Sequence, residues 1–389
     1  MNLSGSLTPA SVTINATKSL ALSGSGSLDG SMALNKTNTG TINILPGGII
    51  RFSPDSSGNT FGSLNPTFAV NGTLQPRNAG NTVRLGKISG NGTLSGPQSA
   101  SGTGNTTYQI GGANVDSIFN GVSSSNAAIV STVVLHKVGT GKLTLTADST
   151  FTAGTIVSNG TLFVQNTTGS GTGSGTVAVR SGTTLGGAGI ISGATTLDSS
   201  AILAPGTNAI GKLTFNNTLI LAAGSSTRFN LNKTQGTNDV ARVLGNVSYG
   251  GTLIVTNLSG TLAAGDSFKL IDAATRSGSF STIILPPLGA NLAWTNQLAA
   301  SGTIAVFSTA PTIPPVFGGV FAAGNNLVMS GSNGTPSISY YVLTSTNVAL
   351  PMTNWSRLVT NQFDLSGNFN FTNAINLLTP QLFYRLQLP

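Results

Sequence analysis

Cysteine is absent from the 389 residues, and so is glutamate; histidine occurs once. The first absence excludes disulfides, thiolate metal sites and a cysteine nucleophile. The second leaves aspartate as the only carboxylate side chain for acid–base chemistry, at nine positions among which only Asp266 and Asp272 fall close together in sequence. Charged residues make up only 7% of the chain against 39% hydrophobic, so core material is plentiful while the usual charged surface is missing. Ser, Thr, Asn and 51 glycines take over that surface, and these residues build turns and hydroxyl-lined strands more readily than helices. No stretch keeps apolar residues three and four apart, which predicts little helix. Nor does any run reach the length of a bilayer-spanning helix. The opening MNLSGSLTPASV has neither a basic start nor an apolar core, so it is not read as an export signal; the composition suits an exported protein, and a signal upstream of this segment is the expectation.

Seventeen Lys and Arg outnumber the aspartates, giving a net charge of +8. They stand singly along the chain and never form a run, which argues against nucleic-acid binding and for weak attraction to acidic polysaccharide, at a bacterial cell surface or outside the cell.

What the sequence does have is repetition. The phrase Asn-Gly-Thr-Leu occurs at Asn71–Leu74, Asn91–Leu94 and Asn159–Leu162, and Gly-Thr-Leu returns at Gly251–Leu253 and Gly260–Leu262. Apolar residues recur two apart in short pairs, Leu143/Leu145, Leu162/Val164, Val177/Val179 and Leu213/Phe215, separated by Gly, Asn and Ser clusters. That is the period of a strand with one buried face. From Leu143 the spacing to Leu162, Val177, Leu197 and Leu213 is 19, 15, 20 and 16 residues. Recurrence near 20 residues is the signature of a β-solenoid, in which each coil buries its inward face against the coils on either side. On this reading Asn-Gly forms a corner where positive φ is cheap, Thr opens a strand and Leu turns inward. A longer repeat agrees: LNKTNTGTINI at Leu34–Ile44 aligns with LHKVGTGKLTL at Leu135–Leu145, 101 residues on, a distance read as about five coils. About fifteen coils are expected in all.

The segment GTGKLTLTADSTFTAGTIVSNGTLFV, Gly139–Val164, resembles the autotransporter-associated β-strand repeat of large exported bacterial proteins: a Gly-Thr-Gly opening, a Leu-x-Leu strand, a Thr-aromatic-Thr turn and a Gly-Thr-Leu strand. It departs from that pattern at Phe151, where Tyr is usual, and at Ala153, where Gly is usual. The resemblance implies an all-β right-handed parallel β-helix passenger, secreted or on the outer cell surface, and no active site within the repeat.

Beyond Val306 the texture changes. Prolines concentrate in Ser308–Gly319, and aromatics (Tyr340, Tyr341, Trp355, Phe363, Phe369, Phe371, Phe383, Tyr384) gather after it. The expected organisation is a β-helix over 1–307, a Pro-rich linker over 308–319 and a small antiparallel β-sandwich-like domain over 320–389. The chain closes on Leu388-Pro389 without a terminal aromatic strand, so no outer-membrane barrel is expected from these residues.

Candidate chemistry is sparse. His136 opens a strand and reads as a surface residue; a triad needs a nucleophile and a carboxylate beside it. Asp266 and Asp272, flanked by Lys269 and Arg276, are the only carboxylates a sequence could pair for polysaccharide cleavage. Trp355 is the candidate for stacking on a sugar, with core packing as the competing role. The Gly169–Val177 string lacks the Gly-Lys-Ser/Thr ending of a phosphate loop. The reading is therefore a monomeric, non-enzymatic structural or adhesive passenger without cofactor or metal. A polysaccharide-active β-helix enzyme, or carbohydrate binding through the C-terminal domain, stands as the alternative.

Overall fold

The computed structural model describes residues 6–7, 20–22, 27–30, 40–52, 60–97, 104–125, 132–206, 209–309 and 314–388. The chain divides into two compact units, Met1–Ser308 and Thr309–Pro389.

The first unit is a three-faced parallel β-helix. On the first face, Thr82–Ser89, Thr106–Ile110, Val133–Lys137, Gly154–Val157, Val177–Val179, Thr195–Leu197 and Leu219–Leu221 pair in parallel, each with the corresponding strand one coil away. The second face runs through Ser117–Phe119, Lys142–Leu145, Thr161–Val164, Thr184–Gly187, Ile202–Pro205, Ser226–Asn232, Thr252–Asn257 and Thr282–Ile284. The third face holds Ile49–Phe52, Thr73–Pro76, Thr93–Ser95 and Val122–Ser124, and later Ile190–Ile191 and Lys212–Phe215. Thr60–Val70 and Val240–Tyr249 run continuously round a corner and so join two faces in one strand.

Register explains the period-two pairs. Inward positions stack in columns, as in Leu143, Leu162, Leu185, Leu203, Thr227 and Leu253, each aligned with the next and all buried. On the first face the column is Val83, Tyr108, Leu135, Thr155, Val177, Thr195, Leu219 and Val247. Each buried aliphatic side chain in such a column contributes about 1.5–3 kcal/mol. Most polar residues that enter find a carbonyl: the Tyr108 hydroxyl lies 2.8 and 2.6 Å from the Leu74 and Ser95 oxygens, Thr155 donates to Thr172 O at 3.1 Å and Thr195 to Gly193 O at 3.1 Å, whereas the buried Thr227 hydroxyl has no partner among the described residues.

Three sequence expectations change here. Of the four spacings counted from Leu143, only the first links true neighbours in a column; Leu162 to Val177 passes from the second face to the first, and Leu197 pairs with Val179, not Val177. Column spacing along the second face, read at Leu143, Leu162, Leu185, Leu203, Thr227, Leu253 and Ile283, grows from 19 to 30 residues because the corner loops lengthen. Coils along this face are accordingly larger, most of them exceeding the 20 residues expected. Thr41–Ile44 and Lys142–Leu145 lie four coils apart rather than five; Leu34–Thr39, the start of the earlier copy, falls outside the described residues.

The repeated Asn-Gly phrase marks corners, though not one corner for one reason. Gly72 and Gly92 lead into the third face, Gly160 into the second. Gly160 has φ +69°, as a left-handed corner requires. Gly92 has no positive φ; a Cβ there would come within 2.1 Å of the Gly72 carbonyl oxygen on the neighbouring coil. Close approach of two backbones is what that glycine permits. Over residues 146–153 and 165–176 the third side is loop, and buried Phe151 points inward in place of a strand.

The last coils are covered by an antiparallel sheet of Ser267–Lys269, Thr303–Ser308 and Leu292–Gln297 and by the short helix Leu298–Ser301, whose Leu298 joins the core. The second unit is a sandwich of two three-stranded antiparallel sheets: Val316–Ala323, Asn326–Ser332 and Phe369–Ala374 in one, Ser356–Gln362, Ser339–Ser345 and Phe383–Gln387 in the other. Met329, Tyr340, Val342, Phe363, Phe369 and Phe371 fill the space between them. Val316–Ala323 begins inside the stretch that proline content reads as linker, because Val316 and Phe317 already pair with Asn326–Ser332.

Candidate functional site

The two carboxylates singled out by sequence are held by different lysines. Asp266 ends the turn before Ser267–Lys269; one oxygen is ion-paired with Lys233 and the other accepts the Ala263 N–H at 2.9 Å. Partial desolvation pushes its pKa up, but the Lys233 and Ala263 hydrogen bonds outweigh it and hold the carboxyl below the usual range. Asp272 meets Lys269 at 2.8 Å and lies in register with Arg242 on the neighbouring strand. The Lys269 hydrogen bond is the main reason its carboxyl titrates low. Two carboxylates that are both held ionised lack the protonated partner a glycosidase acid needs at neutral pH.

His136 faces outward on the first face, between Gln109 and Ile156 in the column, with Nε2 2.7 Å from the Ser158 hydroxyl. It is half-buried, and burial lowers its pKa. The outward column continues through Ala178, Thr196, Ile220 and Ser248, a mixture of small, aliphatic and hydroxyl side chains rather than an unbroken polar ladder. Trp355 is half-buried after the turn Met352–Asn354, its indole N–H donating to Leu350 O at 3.0 Å. Of its neighbouring tyrosines, Tyr340 packs in the core against Phe363, the rings tilted by 38° with centroids 4.6 Å apart, and Tyr341 lies 3.6 Å beneath the Arg357 guanidinium.

Sequence reasoning missed two buried charges. Lys137 reads as one more scattered surface cation, yet it is 1% exposed and occupies the inward column between Ile110 and Val157. Its ammonium donates to three backbone carbonyls, Val138 at 2.7 Å, Gly139 at 2.7 Å and Asn159 at 3.1 Å. Burial pushes its pKa down to about 8, with Asp116 pulling the other way. The signal was present in the alternation Val133, Leu135, Lys137, which puts the lysine on the inward side of its strand. Asp239 is the second: fully buried, it accepts the Gly211 and Asn230 N–H groups at 2.8 Å each, and burial raises its pKa. A raised carboxyl contributes stability that is complete below its unfolded pKa and lost as pH climbs through the folded value. Asp239→Asn turns one acceptor into a donor facing an N–H, an expected cost of about 1–2 kcal/mol at neutral pH. Urea melts from pH 3.5 upward should also lose the wild-type decline just above the usual carboxylate range.

The Lys137 corner lies at the start of the segment that known families recognise. Residues 135–164 match the passenger-associated-transport-repeat. No curated protein matches the chain. The repeat spans just over one coil, from the Val133–Lys137 strand through Lys142–Leu145 and Gly154–Val157 to Thr161–Val164. Lys137 near its start bonds Asn159 near its end, so the repeat fastens its own coil onto the next. Passenger-associated repeats fit an autotransporter passenger, a family whose members are exported to the cell surface or secreted. Among the described residues no helix is long and apolar enough to cross a membrane, and no three His, Cys, Asp or Glu side chains gather as a metal site.

Proposed function

We propose that the chain is a non-enzymatic structural passenger: a secreted or surface-displayed bacterial β-helix that carries its terminal sandwich module and makes weak, multivalent contacts outside the cell. The observation that carries this reading is the position of the passenger-associated-transport-repeat within a stack whose inward columns are mainly aliphatic and whose corner charge, Lys137, is spent on backbone carbonyls. Such a stack holds itself together without metal or disulfide. The pairing of Asp266 with Lys233 and of Asp272 with Lys269 supports a structural role for both carboxylates. Multivalent presentation raises avidity without a strong single site.

The test is protease shaving of intact producing cells, with immunodetection of the chain in the cell and culture fractions. Surface cleavage or release into the medium supports the reading; a chain that stays protected with cytoplasmic markers sinks it.

A further inference from the structure

Where the sheet containing Phe369–Ala374 meets the turn at Asp364–Asn368, the second unit has an open groove of about 600 Å³. We propose that this groove binds a neutral, hydroxyl-rich saccharide. Its volume falls within the roughly 300–1,000 Å³ of small-molecule sites. The side chains of Ser330, Ser332, Gln362 and Asn370 line it, and among the described residues none of the four has a hydrogen-bond partner. Convergent amides and hydroxyls with unspent capacity can both donate and accept, which is what a sugar hydroxyl demands of its partner.

The remaining polar group is pre-set. Asp364 Oδ1 accepts the Ser366 N–H at 2.9 Å and the Asn368 N–H at 2.7 Å, and Asn368 Nδ2 donates to Oδ2 at 3.2 Å. The backbone N–H of Asn368 is the main reason this carboxyl titrates below its usual range. An ionised carboxylate on a locked turn offers its remaining lone pairs as strong acceptors for sugar hydroxyls. Among the described residues no Lys or Arg lines the groove, so an acidic saccharide meets like charge without compensation. Phe369 is only 4% exposed, its ring turned into the sandwich core where a Cβ on Gly331 would come within 2.4 Å of it, so the floor is closed and the groove meets a ligand with its polar side chains.

The test uses the full chain in native affinity electrophoresis through gels containing a soluble glucan, mannan, galactan or xylan, with polygalacturonate as the acidic comparison. Retention by at least one neutral polymer is expected, about tenfold weaker in Gln362→Ala/Asn370→Ala and unchanged in Trp355→Phe. Because all the altered positions but Trp355 are exposed, folding should survive; if the double variant nevertheless fails to fold, Ser332→Gln, which fills the groove from its exposed rim, carries the same expectation. Retention by polygalacturonate alone, by none of the polymers, or undiminished in the variants overturns the proposal. As the contact point of a displayed passenger the groove rests on the reading above, and the two fail separately. Retention by a chain that is protease-protected in cells sinks display alone; surface cleavage without retention sinks the groove alone.

Discussion

Leu162→Ala should lower the unfolding free energy of the β-helix unit by about 3–4 kcal/mol, read as a shifted urea midpoint with an unchanged slope. Leu162 is fully buried between Leu143 and Leu185, so truncating it removes contacts to two coils at once. Relaxation is restricted, because both neighbours are held by parallel backbone ladders that fix the distance between coils. The cost therefore belongs in the middle of the range for buried leucines rather than at its low end. A stack of repeats also localises the damage. Amide exchange should quicken first in Lys142–Leu145 and Thr184–Gly187, the strands hydrogen-bonded to Thr161–Val164, with little change in the distant strand Ser226–Asn232. A loss below about 1 kcal/mol, or exchange that quickens equally in every strand, would contradict the column as the source of stability.

How far the sequence revealed this fold depends on which residues are considered. Pairs such as Leu162/Val164 announce an inward face because alternation is a property of the strand itself. The assignment of strands to three faces was not legible: Leu162 and Val177 look like successive steps of one ladder, and only the loop Gln165–Thr176 determines that the chain turns a corner between them. Corner length is set by what must be packed there, for example Phe151 under Gly173, and that is a contact between segments, not a local pattern. Gly92 shows the same limit. A positive φ is written into an Asn-Gly pair, whereas a close approach to Gly72 one coil away is not. At the candidate site the proximity of Asp266 and Asp272 in sequence was visible, as was Lys269 three residues before Asp272, but the lysine that Asp266 finds was not, since Lys233 lies 33 residues away. The groove at Gln362 and Asn370 was hidden altogether, because isolated polar residues on alternating strands carry no local mark.

Lys137→Met should destabilise the same unit by about 2–4 kcal/mol at pH 7, although methionine suits a position between Ile110 and Val157 better by hydropathy. Two effects oppose one another. Removing the ammonium relieves the cost of desolvating it, the cost that brings its pKa down to about 8. It also strips the donor from the Val138, Gly139 and Asn159 carbonyls, which converge on Nζ at the corner; among the described residues no other donor reaches them, and only Asn159 is exposed enough to turn to water. An acceptor left unpaired costs about 1–3 kcal/mol, so three of them together exceed the relief, because leaving one partner of a buried polar contact unpaired costs more than replacing both. The pH profile separates the two effects. With a folded-state pKa near 8 and an unfolded one in the ordinary lysine range of about 10.4, the folded chain binds fewer protons between those values, so wild-type stability gains a rising component from Lys137 across that window. The neutral amine keeps two N–H donors for the carbonyls, so deprotonation relieves desolvation without emptying the corner. Lys137→Met lacks that component, and the gap between variant and wild type should widen from pH 8 to pH 10. A gap that narrows instead means the ammonium, not the amine, is the form the corner favours, and a variant as stable as wild type at pH 7 means the three carbonyls do not depend on Lys137.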